Sequence, residues 1–299
     1  MNRFRTLFEA ETPIILDGGW ATELQKRGLA LGESPDAWNL SRPDDVLAVA
    51  RSYIEAGARA ILTNTFQASP TALARLGLSA EARRINREGA RLSRLAAEGT
   101  SVRVLGSIGP SGARGDGAAA AFALQSEALA EGGADALVLE TFLGIEEARL
   151  AVNTARTVGL PVVASFFFNT STGDPTTPDG SRPEEVARAM ADAGADAVGA
   201  NCGAGIAEFI ALARRLHAAC DLPVWIKPNA GHPAVEDGRA VYAMSPEAFA
   251  AHLGPLVEAG ATFVGGCCGT TPEFIKALRD EASGLDHDQR ASGRDLSQR

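Results

Sequence analysis

"DAGADAVGANCG", residues 192–203, runs from an acidic residue through a glycine and a short apolar stretch to a small, polar end. The same order returns in "EAGARAILTNTF" at 55–66, "EGGADALVLETF" at 131–142 and "EAGATFVGGCCG" at 258–269. A glycine after a helix supplies the left-handed conformation that lets the helix stop and the chain turn. The apolar stretches are too short for helices and too uniformly apolar for strands wetted on one face. They read as strands buried on both faces.

Four more strand candidates lie between these units: "PIILDGG" at 13, "VRVLGSIGP" at 102, "LPVVASFFF" at 160 and "LPVWIKPNAG" at 222. The intervening segments, such as "PDDVLAVARSYIEAG" and "RPEEVARAMADAG", carry helical spacing with acidic first turns. Alternating strands and helices of this number predict a single-domain (β/α)8 TIM barrel, an α/β fold, with a doubly wound open sheet as the alternative. The barrel is expected over residues 1–280. The polar stretch "EASGLDHDQRASGRDLSQR", 281–299, lacks periodicity and is expected to be a poorly ordered tail.

Composition narrows the function. The chain has 299 residues, 45% of them hydrophobic, and a formal net charge of −9. That charge argues against nucleic acid or an anionic membrane as the main partner. No stretch approaches the roughly 18 apolar residues of a membrane span. The N-terminus, "MNRFRTLFEAETPIILDGGW", has no uninterrupted hydrophobic region after its arginines and reads as mature protein. Four cysteines, two of them adjacent, do not form a secreted disulfide framework. The expectation is a reduced, cytoplasmic protein.

In a (β/α)8 barrel the chemistry gathers at the C-terminal ends of the strands. Those ends carry Asp17 with Gly18 and Gly19, Asn64 and Thr65, Ser107, Glu140 and Thr141, Asn169, Asn201 with Cys202, Asn229, and Cys267 with Cys268. Three of the four cysteines are among them, whereas Cys220 precedes a strand and falls on the opposite face. Three convergent thiolates suit Zn2+, and three protein ligands leave one position open, as in catalytic zinc sites. Neighbours on a regular strand face opposite ways. The pleat must therefore break for Cys267 and Cys268 to share an ion, and Gly265, Gly266 and Gly269 permit that. The competing readings are small core thiols and a vicinal disulfide.

"DGGWATELQKRG" at 17–28, "ANCG" at 200–203 and "GGCCGT" at 265–270 resemble the homocysteine S-methyltransferase family, in order and over about residues 10–280. That family includes betaine– and S-methylmethionine–homocysteine methyltransferases and the homocysteine-binding module of cobalamin-dependent methionine synthase. The resemblance implies a zinc-holding barrel, with Cys202, Cys267 and Cys268 as ligands and homocysteine sulfur at the open position. It also implies that Asp17 and Glu140 hold the amino-acid end of homocysteine, with Gly18 and Asn201 in the substrate site. Trp38, in "SPDAWNL", matches a loop aromatic that faces the methyl donor in betaine-using relatives, where cation–π attraction suits an onium group. Residue 67 is Gln where betaine-specific animal enzymes carry Tyr, and His232 stands near the mouth after the seventh strand.

The resulting expectation is a zinc-dependent methyltransferase making methionine from homocysteine. Its donor would be S-methylmethionine, betaine or another onium compound, or S-adenosylmethionine. An alternative is a homocysteine-binding zinc subunit of a multi-component, corrinoid-dependent methionine synthase, served by a corrinoid protein partner. A weaker one is a zinc hydrolase on the same barrel, which would need a water-activating base near the metal. Oligomeric state is open.

Overall fold

A computed structural model describes residues 2–8, 13–30, 32–170, 173–232, 234–236 and 239–292. Eight parallel strands form one ring: β1 (Ile14–Ile15), β2 (Ala60–Leu62), β3 (Arg103–Ile108), β4 (Ala136–Phe142), β5 (Val162–Phe166), β6 (Ala197–Gly205), β7 (Val224–Asn229) and, as the eighth barrel strand, Ala261–Val264. Each strand pairs with its neighbour in chain order, and the eighth returns to β1. The seam from β1 to β2 is closed by a parallel bridge, Leu16 to Ala60, and by the Arg59 N–H donating to the Ile15 carbonyl at 2.7 Å. This is the expected (β/α)8 barrel, singly wound.

The repeat that announces the fold has a mechanical reading. Gly57 and Gly194 end their helices at φ 104° and 82°, left-handed caps as the pattern requires. In two of the repeats, the aspartate two residues after the glycine braces the floor of the sheet. Asp135 accepts from the Val104 N–H at 2.7 Å, and Asp196 from the Val162 N–H at 2.9 Å, each on the adjacent strand. These are backbone donors that would otherwise lack partners at the strand entrances.

Alternate strand residues serve two cores. Ile15, Ile61, Leu137 and Ile226 face the surrounding helices. Ile14, Leu62, Val138, Trp225 and Phe263 fill the ring's interior. The N-terminal face is plugged from outside the ring. A short 3-10 turn, Arg5–Leu7, places Phe4 with its ring 4.7 Å from Phe263 and 6.2 Å from Trp225. All three are fully buried.

Two features depart from the sequence reading. A small antiparallel hairpin, β8 (Ala234–Glu236) and β9 (Arg239–Val241), interrupts the seventh connection and makes the eighth barrel strand β10. The final helix does not stop near 280. It runs Pro272–Ser292, because Leu278, Ala282 and Leu285 continue one apolar stripe against the barrel. The tail expected from 281 therefore holds helix as far as Ser292, and residues 293–299 lie outside the described residues. Among the described residues no helix is long and apolar enough to cross a membrane.

Candidate functional site

The three cysteines at strand ends converge. The Sγ atoms of Cys202, Cys267 and Cys268 all lie within 4.8 Å of one another, and those of Cys267 and Cys268 are 4.0 Å apart. No disulfide joins them. A tetrahedral ion with metal–sulfur bonds of about 2.3 Å needs sulfurs roughly 3.8 Å apart, so the trio is close to the spacing such an ion asks for. Cys220 sits half-buried at the end of the helix Ile206–Ala219, away from them.

Two local devices produce the convergence. Cys202 takes φ 64°, a left-handed conformation uncommon for a residue with a β-carbon, and its pairing with β7 slips between Cys202 and Gly205. That turns its sulfur out of the regular pleat. Cys267 and Cys268 escape the pleat differently: β10 ends at Val264, so both lie in the turn beyond it. The turn is pinned where the Cys267 N–H donates to the Pro228 carbonyl at 2.7 Å and the Ala230 N–H to the Cys268 carbonyl at 3.0 Å. Asn229 ties the two cysteine loops together. Its Oδ1 accepts from the Cys268 N–H at 3.1 Å, and its Nδ2 donates to the Gly203 carbonyl at 2.7 Å.

Glycine is required where β1 meets this turn. A β-carbon on Gly19 would stand 2.5 Å from the Cys267 carbonyl oxygen, and one on Gly18 would stand 2.7 Å from that of Thr270. The close approach is what lets the "DGG" and "GGCC" motifs share one wall.

Left to themselves, the sulfurs share charge unequally. Hydrogen bonds from the Cys267 and Cys268 thiols hold Cys202 well below the ordinary thiol range. The same contact with Cys202 pushes the other two up, Cys268 to about 11. Ionising all three at once calls for a cation among them. The donor set is what a soft divalent metal prefers, and among the described residues no other group of three or more such side chains is close enough to share an ion.

Beside the trio opens a cleft of about 440 Å³, lined by all three cysteines, Glu140, Lys227, Trp20, Tyr242 and Asp36 among others. Glu140 enters it from β4. Ser107 donates a short hydrogen bond to its Oε1. Burial raises the Glu140 carboxyl above its usual range, opposed by the Lys227 ammonium and the Ser107 hydroxyl. The next residue, Thr141, is left-handed at φ 61°. Asn201 fixes that turn, its Oδ1 accepting from the Thr141 N–H at 2.9 Å and its Nδ2 donating to the Thr141 hydroxyl at 2.7 Å. Asn201 thus aims Glu140 and does not itself line the cleft.

Two further residues expected at the substrate lie off the cleft lining. Asp17, expected at the amino-acid end of the substrate, is buried behind the cleft wall with both oxygens engaged. Lys227 Nζ donates to Oδ1, while the Trp20 indole N–H and the Leu62 N–H both donate to Oδ2 at 2.7 Å. Trp38, expected at the methyl donor, is a core side chain. It is 1% exposed, its indole N–H donates to Glu33 at 2.8 Å, and the Arg42 guanidinium covers its ring at 4.0 Å. The cleft's indole is Trp20, from "DGGW" itself. Gly18 and Gln67 do line the cleft, and the Gln67 N–H donates to Asp36. His232 is exposed and paired with Glu208.

Lys227, Tyr242 and Asp36 were not singled out from the sequence. Lys227 left one signal, a lone charge inside an apolar strand. Tyr242 follows the hairpin and lines the cleft together with Cys268. Asp36 is fully buried, and desolvation lifts its carboxyl to about 6.

Comparison with known proteins agrees with this architecture. The family described as homocysteine S-methyltransferase matches residues 14–282. Homocysteine S-methyltransferase of Escherichia coli is 30% identical, over 93% of this chain and 98% of its own. Methionine synthase of Mycobacterium tuberculosis is 31% identical over 92% of this chain, which spans only 25% of that relative's length. The metallated form of the homocysteine methyltransferase MmuM from Escherichia coli superimposes with a TM-score of 0.77 at 28% identity, covering 93% of this chain and 99% of that one. With its sequence matched from the first barrel strand into the last helix, the chain belongs to the homocysteine S-methyltransferase family.

Proposed function

We propose that this protein methylates the sulfur of homocysteine to give methionine, with Zn2+ held by Cys202, Cys267 and Cys268. The observation that carries the reading is the placement of the three thiols on the wall of a cleft that also presents Glu140 and Lys227. When bound, zinc supplies the positive charge that lowers the pKa of an incoming thiol, so no protein base is needed at the sulfur.

The chain's own residues do the rest. Glu140, held by Ser107 and aimed through Thr141 and Asn201, accepts the substrate ammonium. Asn229 keeps the two cysteine loops in register. The thiol proton leaves to solvent; the sulfur then bonds to the donor's methyl carbon as the methyl–heteroatom bond breaks, and that electron pair departs with the donor. Trp20, Phe66 and Tyr242 line the remaining space, and their faces suit a sulfonium or quaternary ammonium donor.

A second source of methyl groups has its own support. The chain aligns with a quarter of a methionine synthase, which favours delivery by a separate corrinoid protein as the alternative. The test is methionine formation from homocysteine by the isolated chain, with S-methylmethionine, S-adenosylmethionine, betaine and methylcobalamin as donors. Turnover with an onium donor supports the main reading. Turnover with methylcobalamin alone supports the alternative, and none with any donor removes the main reading.

A further inference from the structure

Among the described residues Lys227 is the one cation on the cleft wall, and nothing so far assigns it a task there. Its side chain is 1% exposed, on a strand otherwise apolar up to that point. β7 pairs Lys227 with Asn201 and Pro228 with Cys202, so the ammonium arises one register step from the first cysteine of the trio. An ammonium has three N–H donors. One goes to Asp17 Oδ1, and among the described residues that is the one hydrogen bond the ammonium makes. A buried charge with donors left over is costly unless a ligand completes it.

We infer that Lys227 binds the α-carboxylate of the thiol substrate and makes this site select an amino acid over a simple aminothiol. The inference rests on the functional reading above and deepens it. Glu140 and Lys227 then clasp the two charges of one zwitterion. Asp17 becomes a positioning residue: with its second oxygen fixed by Trp20 and the Leu62 N–H, it holds the ammonium at the cleft wall. The pairing also explains the charge balance. Asp17 and Lys227 cancel, which leaves Glu140 to match the ammonium while the spare lysine donors match the carboxylate.

The competing role is that of a counter-ion for Asp17, with no contact to substrate. The two are separated by comparing homocysteine with 3-aminopropane-1-thiol, which keeps the sulfur and the amine but lacks the carboxylate. Calorimetric titration of the zinc-loaded protein gives a ratio of dissociation constants for the two thiols. Lys227→Met is expected to shrink the native preference for homocysteine by about 30-fold or more, the scale for truncating one side of a buried charged contact. An unchanged ratio overturns the inference. If Lys227→Met does not fold, the double variant Asp17→Asn/Lys227→Met removes both charges and is read by the same ratio. Methylation of homocysteine is assayed separately, so loss of the functional reading and loss of this one are distinct results.

Discussion

The two ends of the barrel are built to opposite rules. At the N-terminal face, Phe4, Phe8, Trp225 and Phe263 close the ring with aromatic packing. At the C-terminal face the buried side chains of Asp17, Lys227 and Glu140 are charged, and the half-buried Thr141 and Cys202 are left-handed. A buried ion pair and positive-φ residues do not stabilise a fold as well as apolar packing would. The mouth accepts that cost to hold chemistry, and the floor supplies stability to offset it.

The sharpest way to break this contrast is at the trio. Cys267→Ala is expected to abolish metal retention and methyl transfer, read by elemental analysis and product formation, while Cys220→Ala keeps both. A metal-free Cys267→Ala protein with full activity would end the zinc reading. At the floor the expectation reverses. Phe4→Ala should cost about 3–5 kcal/mol of stability in urea unfolding yet leave the folded protein's metal content unchanged. Loss of metal from folded Phe4→Ala would mean that the two ends are coupled.

Within the mouth, Glu140→Gln keeps the shape and removes the charge. Homocysteine affinity is expected to fall about 30-fold or more, with zinc still bound. An equal loss for a thiol lacking the amine would place Glu140 at the sulfur instead.

The smallest effect concerns Asp36. Its folded carboxyl titrates near about 6, raised by burial from 3.8. Because the folded chain holds that proton more tightly, its contribution to stability is full below the unfolded value and is lost as pH rises through 6. Asp36→Asn has no such loss. Its stability relative to the native protein should therefore grow between pH 4 and 7.5, by up to about 3 kcal/mol. A flat difference across that range would show that Asp36 ionises without penalty.

What the sequence revealed was whatever short-range pattern encodes. The strand units and the cysteine trio follow from composition and spacing along single segments, and both are present. Lys227 and Asp36 depend on which way a buried side chain turns, and Tyr242 depends on a hairpin that no alternation marked. Trp38 and Trp20 illustrate the limit most clearly. Both flank the first connection, but packing under Arg42 takes one into the core, while a hydrogen bond to Asp17 keeps the other at the cleft. The final helix continued past 280 because Ala282 and Leu285, in an otherwise polar stretch, extend the apolar stripe of Leu278.

The seam where Gly18 and Gly19 press against Thr270 and Cys267 joins the first barrel strand to the turn after the last. During synthesis, an emerging chain displays Cys202 long before Cys267 and Cys268 exist, and the turn that carries them, pinned on one side by the end of β7, completes its packing only when it meets β1. Such contacts between distant parts of a chain form late. Completion of the thiol trio is thus a terminal event of assembly.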